Sequence, residues 1–271
     1  MRMPVLALAF ALLLLAGCGG EAPLNWTPTP VTPSPSPVQG LSEGDTWWAG
    51  VDPALLPTEP EDEPYVDGPV SYGLLQSAPE RELFLYEVHC APYDSVQYLL
   101  RQGDTLGEAL RLETGRFALR YNLAWGDYDG DGEDEYAISL VHAHGTGSDL
   151  ILGELSEDGW TFFTYDPADY SAELSAALGF QYAGDTVTLS YGGVTVSYTL
   201  GPSESGPVSP MEDFSQVAFL TPSGDQLTAS FGAGAVIDGS PVCFSLVMAD
   251  VIYDGEGFSL SNLRLLSTTG V

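Results

Sequence analysis

Acidic side chains recur at alternate positions in Asp127-Tyr128-Asp129-Gly130-Asp131-Gly132-Glu133-Asp134-Glu135. At that spacing a tight turn can gather their oxygens around one hard cation. Calcium suits such a set, because it takes six to eight oxygen ligands in flexible geometry. Loops that hold it commonly carry acids at positions 1, 3, 5 and 9, a ligating carbonyl at 7 and a turn glycine at 6. Counted from Asp127, the expected Ca2+ ligands are Asp127, Asp129, Asp131, Glu133 and Glu135, with Gly132 at the turn. Position 12, where an EF-hand needs a bidentate glutamate, is Ile138 inside a β-like run, so an EF-hand is excluded. The competing reading is a solvated acidic turn that holds no metal.

A second constellation is His142-Ala143-His144, which would set two imidazoles on one face of a strand, with Asp149 nearby in sequence. A zinc or copper site could begin this way, and a metal-activated water would make a hydrolase. Such a site also needs a third ligand, a general base and an open position, and the only other histidine is His89. There is no G-x-S-x-G elbow, no H-E-x-x-H and no phosphate-cradling glycine loop. The leading expectation is a non-enzymatic calcium-binding module that engages a protein or a glycan. An extracytoplasmic metal-dependent hydrolase using His142 and His144 is the alternative.

The D-x-D-G-D-G-x-D-E pattern running into a strand resembles the calcium loop of FG-GAP or VCBS-type repeats, found in integrin β-propellers and many bacterial surface proteins. It is also similar to lipid-anchored VCBS repeat-containing proteins of Gram-positive bacteria, in which such a loop, a strand and a G-T-G turn follow in order. Here these are Asp127 to Glu135, Tyr136 to Ala143 and Gly145-Thr146-Gly147. The likeness extends over about residues 80 to 200. It implies a calcium-binding β fold at a cell surface. One copy of the loop is present, whereas repeat architectures need several copies to bury a continuous core.

Strands must deliver the chain into and out of the loop. Phe117 to Trp125 alternates apolar residues on one face, and Glu135 to Ala143 leaves the loop as an apolar run. Glu82 to Val88 reads as a strand, and Tyr93 to Arg101 as a short helix before Gly103. Leu150 to Leu155 and Trp160 to Tyr165 form two strands joined at Asp158-Gly159. Asp169 to Leu178 is the clearest helix, capped by Asp169 or Ser171 and closed by Gly179. Three hairpins follow: Thr186 to Tyr191 with Val194 to Leu200, Val217 to Leu220 with Gln226 to Phe231, and Val242 to Tyr253 with Phe258 to Leu266. Between the first two, Pro202 to Pro210 reads as a loop. The expected fold class is mainly β, with antiparallel sheets or propeller-like blades and one or two short helices. The β-α-β repetition of two-domain transporter-binding proteins is missing.

The first residues say where such a module would sit. Arg2 precedes the apolar run Val5 to Ala16, too short to span a bilayer, and Leu15-Ala16-Gly17-Cys18 resembles a bacterial lipobox. Residues 1–17 then read as a lipoprotein signal peptide, and Cys18 as the diacylated anchor on the outer face of a bacterial cell membrane. Residues 18–64, with Thr27-Pro28-Thr29-Pro30 and the prolines that follow, read as an extended tether, and 65–271 as the β-rich domain. In the tether, Trp47-Trp48 is expected to fold back on the domain rather than serve as a ligand platform. The net charge of −31, with seven arginines and no lysine, repels nucleic acid and attracts cations. Cys90 and Cys243 either pair in a disulfide or remain buried thiols, and their spacing does not decide between the two.

Overall fold

The computed structural model describes residues 42–267, apart from 43, 61–62, 94, 113–117 and 143–146. The expected leader, Cys18 and most of the expected proline-rich tether therefore lie outside the described residues. Among the described residues, four antiparallel sheets follow one another, and most strands pair with their immediate sequence neighbours. The first sheet contains β1 (Tyr65–Asp67), β2 (Val70–Ala78), β3 (Leu83–Cys90), β4 (Ser95–Gln102) and β5 (Thr105–Leu112). The second contains β6 (Ala118–Gly126), β7 (Glu135–His142), β8 (Ser148–Ser156) and β9 (Gly159–Tyr165). An α-helix, α1 (Ser171–Ala177), leads into the third sheet: β10 (Gly179–Ala183), β11 (Thr186–Tyr191) and β12 (Val194–Thr199). The fourth holds β13 (Val208–Pro210), β14 (Ala218–Ser223), β15 (Gln226–Ile237), β16 (Ser240–Tyr253) and β17 (Phe258–Ser267).

The second sheet is the middle layer, and the alternation along β7 shows why. Tyr136, Ile138 and Leu140 join Leu83, Leu85, Tyr98 and Leu100 of the first sheet in one core. Ala137, on the opposite face, joins Leu220, Phe231 and Val247 of the fourth sheet in another. Successive residues of a strand point to opposite faces, so a strand buried on both sides must be apolar at nearly every position. The one polar residue within that run, Ser139, is buried, and its hydroxyl donates to the Leu220 carbonyl at 2.7 Å. That bond satisfies a group whose burial would otherwise be costly.

The far face of the first sheet is covered by residues 44–57. Trp47 and Leu56 are buried there with Tyr72, Phe84, Tyr86 and Val88. Trp48 Nε1 donates to Glu108 Oε2 at 3.0 Å, and Arg111 Nη1 donates to the Gly44 carbonyl at 2.9 Å. The tryptophan pair folds back as expected. The packed part of the chain begins well before Tyr65, because these side chains supply apolar area the first sheet needs on its outer face.

Several local expectations are corrected. Tyr93 to Arg101 is not a helix. Most of it lies in β4, an interior strand of the first sheet that is buried at Ser95 through Arg101, so neither a two-residue nor a 3.6-residue period marks it. The helix after β9 is shorter than expected and differently capped. Asp166 accepts from Ala168 N at 2.9 Å and caps a 3₁₀ turn over Pro167–Tyr170. The Ser171 hydroxyl instead accepts from Phe214 N at 3.0 Å. Gly179 does not close the helix but opens β10, where a Cβ would stand 2.3 Å from Ser190 Oγ. Cys90 is buried on β3 in the first sheet, whereas Cys243 is exposed on β16 in the fourth, and no disulfide joins them. β15 continues past Phe231 to Ile237 and turns at Asp238-Gly239, both with positive φ.

Candidate metal centre in the β6–β7 loop

Gly126 and Glu135 face each other where β6 and β7 part, so residues 127–134 form a closed loop at the end of the middle sheet. The loop is built from its own carboxylates. Asp127 Oδ1 accepts from Gly130 N at 2.7 Å and Oδ2 from Gly132 N at 3.2 Å. Asp129 Oδ1 accepts from Asp131 N at 3.0 Å, and Asp131 Oδ1 from Glu133 N at 2.8 Å. Short polar side chains that bond the backbone two or three residues on are strong turn formers. Gly130 and Gly132, at φ 83° and 99°, take left-handed conformations that side chains with a Cβ resist.

The turn brings one oxygen each of Asp127, Asp129 and Glu135 within 4.8 Å of one another. Glu135 is 3% exposed, and its Oε2 accepts from Tyr128 N at 2.6 Å across the mouth of the loop. Burial pushes its carboxyl above the ordinary range, the charges of Asp129 and Asp131 add to this, and the Tyr128 and Asp129 amides only partly offset it. A buried carboxylate beside two others is costly unless a cation compensates it. A carboxylate that accepts one or two amide bonds still has lone pairs free. The donors are all hard oxygens, the set that suits calcium, magnesium or manganese rather than zinc or copper. The residues fit a divalent cation.

The Asp131 carboxylate, also expected as a ligand, is exposed and stands outside the 4.8 Å group; Glu133, at the position expected to offer its carbonyl, has an exposed side chain. Among the described residues this is the one cluster of His, Cys, Asp and Glu side chains that converges so closely. Of the alternative pair, His142 is the last residue of β7, and His144 lies outside the described residues.

Three neighbours hold the loop from outside. Arg81, in the 3₁₀ turn after β2, pairs with Asp134 and lies over the Trp125 ring at 4.9 Å. The turn between β14 and β15 presses on Gly126, and the turn between β16 and β17 on Asp129, whose Oδ2 would stand 3.2 Å from a Cβ at Gly255. Tyr128 sends its hydroxyl into the protein, where burial and then the charges of Asp225 and Glu135 push its pKa up. On the next sheet Tyr253 donates to Glu154 Oε1 at 2.5 Å, and burial, with that bond second, raises its pKa. Sequence reasoning did not find these supports. Arg81 and Asp134 are 53 positions apart, and no local pattern announces such a pair.

No protein-family model matches the chain, no curated protein matches it, and no solved structure matches it.

Proposed function

We propose that the chain is an extracytoplasmic β module, anchored to the outer face of a bacterial membrane through Cys18, that binds calcium in its β6–β7 loop and engages a protein or glycan at the cell surface. The observation that carries the calcium reading is the convergence of Asp127, Asp129 and buried Glu135 oxygens within 4.8 Å. The anchor rests on the apolar leader that ends at Leu15-Ala16-Gly17-Cys18. The surface role rests on the net charge of −31, which keeps anionic polymers away and leaves neutral glycans and proteins as partners. The calcium reading is tested by titrating the purified full chain by calorimetry after EDTA treatment. Saturable one-site heat with calcium, lost in Asp129→Asn, supports the reading; no heat above dilution in the unaltered chain rejects it.

A further inference from the structure

A cleft of about 240 Å³ opens on the first sheet, remote in sequence from the acidic loop, between β2–β3 and the arm that precedes β1. Its floor is a square of paired residues. Ser71 lies opposite His89, and Gly73 opposite Glu87. Residues two apart on a strand share a face, so all four positions face the same way. Pro57, Glu63 and Pro64 of the arm supply the walls.

Gly73 leaves the floor open. A glycine inside a strand weakens it and needs a reason, such as a bulge, a tight bend or the close approach of another group. Its φ is not positive, and a Cβ there would meet nothing nearer than the Glu87 carbonyl at 3.9 Å. The register of β2 on β3 shifts between Leu74 and Gln76, just beyond it, so a bulge accounts for a glycine here, while packing does not require one. What its missing side chain does is leave open the cross-strand space beside the Glu87 carboxylate. Glu87 is already oriented there: Oε1 lies 2.7 Å from His89 Nε2, and Oε2 accepts from the Tyr98 hydroxyl at 3.1 Å. Those contacts fix the carboxylate without exhausting its lone pairs.

We propose that this cleft binds a small organic cation, an alkylammonium group, with Glu87 and Glu63 as counter-charges and the prolines against its methylenes. The cleft is smaller than a typical drug-sized pocket of roughly 300–1,000 Å³, which favours an amine with a short alkyl stem. Its lining carries no aromatic platform for a sugar ring, and its ionisable side chains are two carboxylates and an imidazole that contacts one of them.

The probe is 1,5-diaminopentane, titrated into the full chain by calorimetry at about 0.15 M ionic strength to screen the diffuse acidic surface. Calcium is held in excess, so any response from the β6–β7 loop is already saturated. The expected result is saturable binding that weakens by about tenfold or more in Glu87→Gln, as loss of a charge-assisted hydrogen bond implies. Gly73→Val should also abolish binding by filling the cleft, with its melting temperature unchanged or raised because valine favours strands. Glu157→Gln, an exposed acid elsewhere, should leave binding unchanged. Equal binding by Gly73→Val and the unaltered chain, equal binding of the uncharged 1,5-pentanediol, or no saturable binding at all would each overturn the proposal.

Discussion

Asp225, in the turn between β14 and β15, stands so close to Gly126 that a Cβ on the glycine would lie 2.7 Å from its Oδ1 and 3.1 Å from its Cα. The fourth sheet thus braces the point at which β6 enters the acidic loop, and only a residue without a side chain leaves room for it. Because backbone as well as carboxylate is in the way, Gly126→Ala should destabilise the protein by about 1–3 kcal/mol, read from urea unfolding. A loss below about 0.5 kcal/mol would mean that the turn does not brace the loop.

Calcium bound only by the folded chain stabilises it by mass action. Extracellular sites bind at roughly 0.1–1 mM, so millimolar calcium should add about 0.4–1.4 kcal/mol. A melt in EDTA should fall below one in calcium, and Asp127→Asn, Asp129→Asn or Glu135→Gln should remove the difference. Asp131→Asn should reduce it less, because Asp131 is exposed and outside the converging group.

Asp134→Ala separates support from ligation. Asp134 pairs with Arg81, and both side chains are more than a third exposed. Loss of such a pair costs about 0.2–1 kcal/mol, which should appear as a small drop in the melting temperature with calcium heat unchanged.

Acid should release the arm from the first sheet. Burial alone would raise the pKa of Glu108, but its bonds from Arg111 and Trp48 outweigh that, and it lies below the ordinary 4.5. A carboxyl with a lowered folded-state pKa contributes stability that is complete above the unfolded value and is lost as pH falls through the folded one. The urea midpoint should therefore drop below about pH 4.5, and tryptophan emission should shift as Trp47 and Trp48 become wet. Glu108→Ala should lose about 2 kcal/mol at neutral pH and show a flatter acid profile, because the bonds to the charged group are gone throughout.

The long hairpin of β15 and β16 depends on Gly234, where a Cβ would fall 1.8 Å from the Val242 carbonyl oxygen, beside the register shift at Ala233/Gly234. Gly234→Ala should cost about 3 kcal/mol or more, the range of severe overpacking, measured by chemical denaturation.

The elements that could be read from sequence are those whose patterns are local. The acidic loop announces itself by the spacing of its acids and glycines, and β6, β7, β8 and β9 by apolar runs broken at turns. The Gly192-Gly193 hairpin is legible because both glycines take positive φ, as a two-residue turn requires. β4 is not legible, since burial on both faces removes the alternation that would distinguish it from a helix. The end of β15 is hidden by its small residues, Gly232-Ala233-Gly234-Ala235, chosen for close approach to Val217 and Val242 rather than for strand propensity. At the metal centre the ligand candidates are visible and the supports are not. Asp225 and Gly255 reach the loop only through tertiary packing.

The order of strands has a kinetic consequence. Each sheet is built from a contiguous stretch of chain, so its hydrogen bonds close short loops, and topologies rich in local contacts fold quickly. The bonds that tie the fourth sheet to earlier parts of the chain span far greater separations: Ser139 to Leu220 is 81 positions, Tyr170 to Phe258 is 88, and Tyr253 to Glu154 is 99. All of these must wait for strands of the fourth sheet. The chain can therefore form its sheets one after another from the first residue onward, while the docking of the fourth sheet onto the second, which buries the Tyr253 hydroxyl and braces the acidic loop, comes as the closing step.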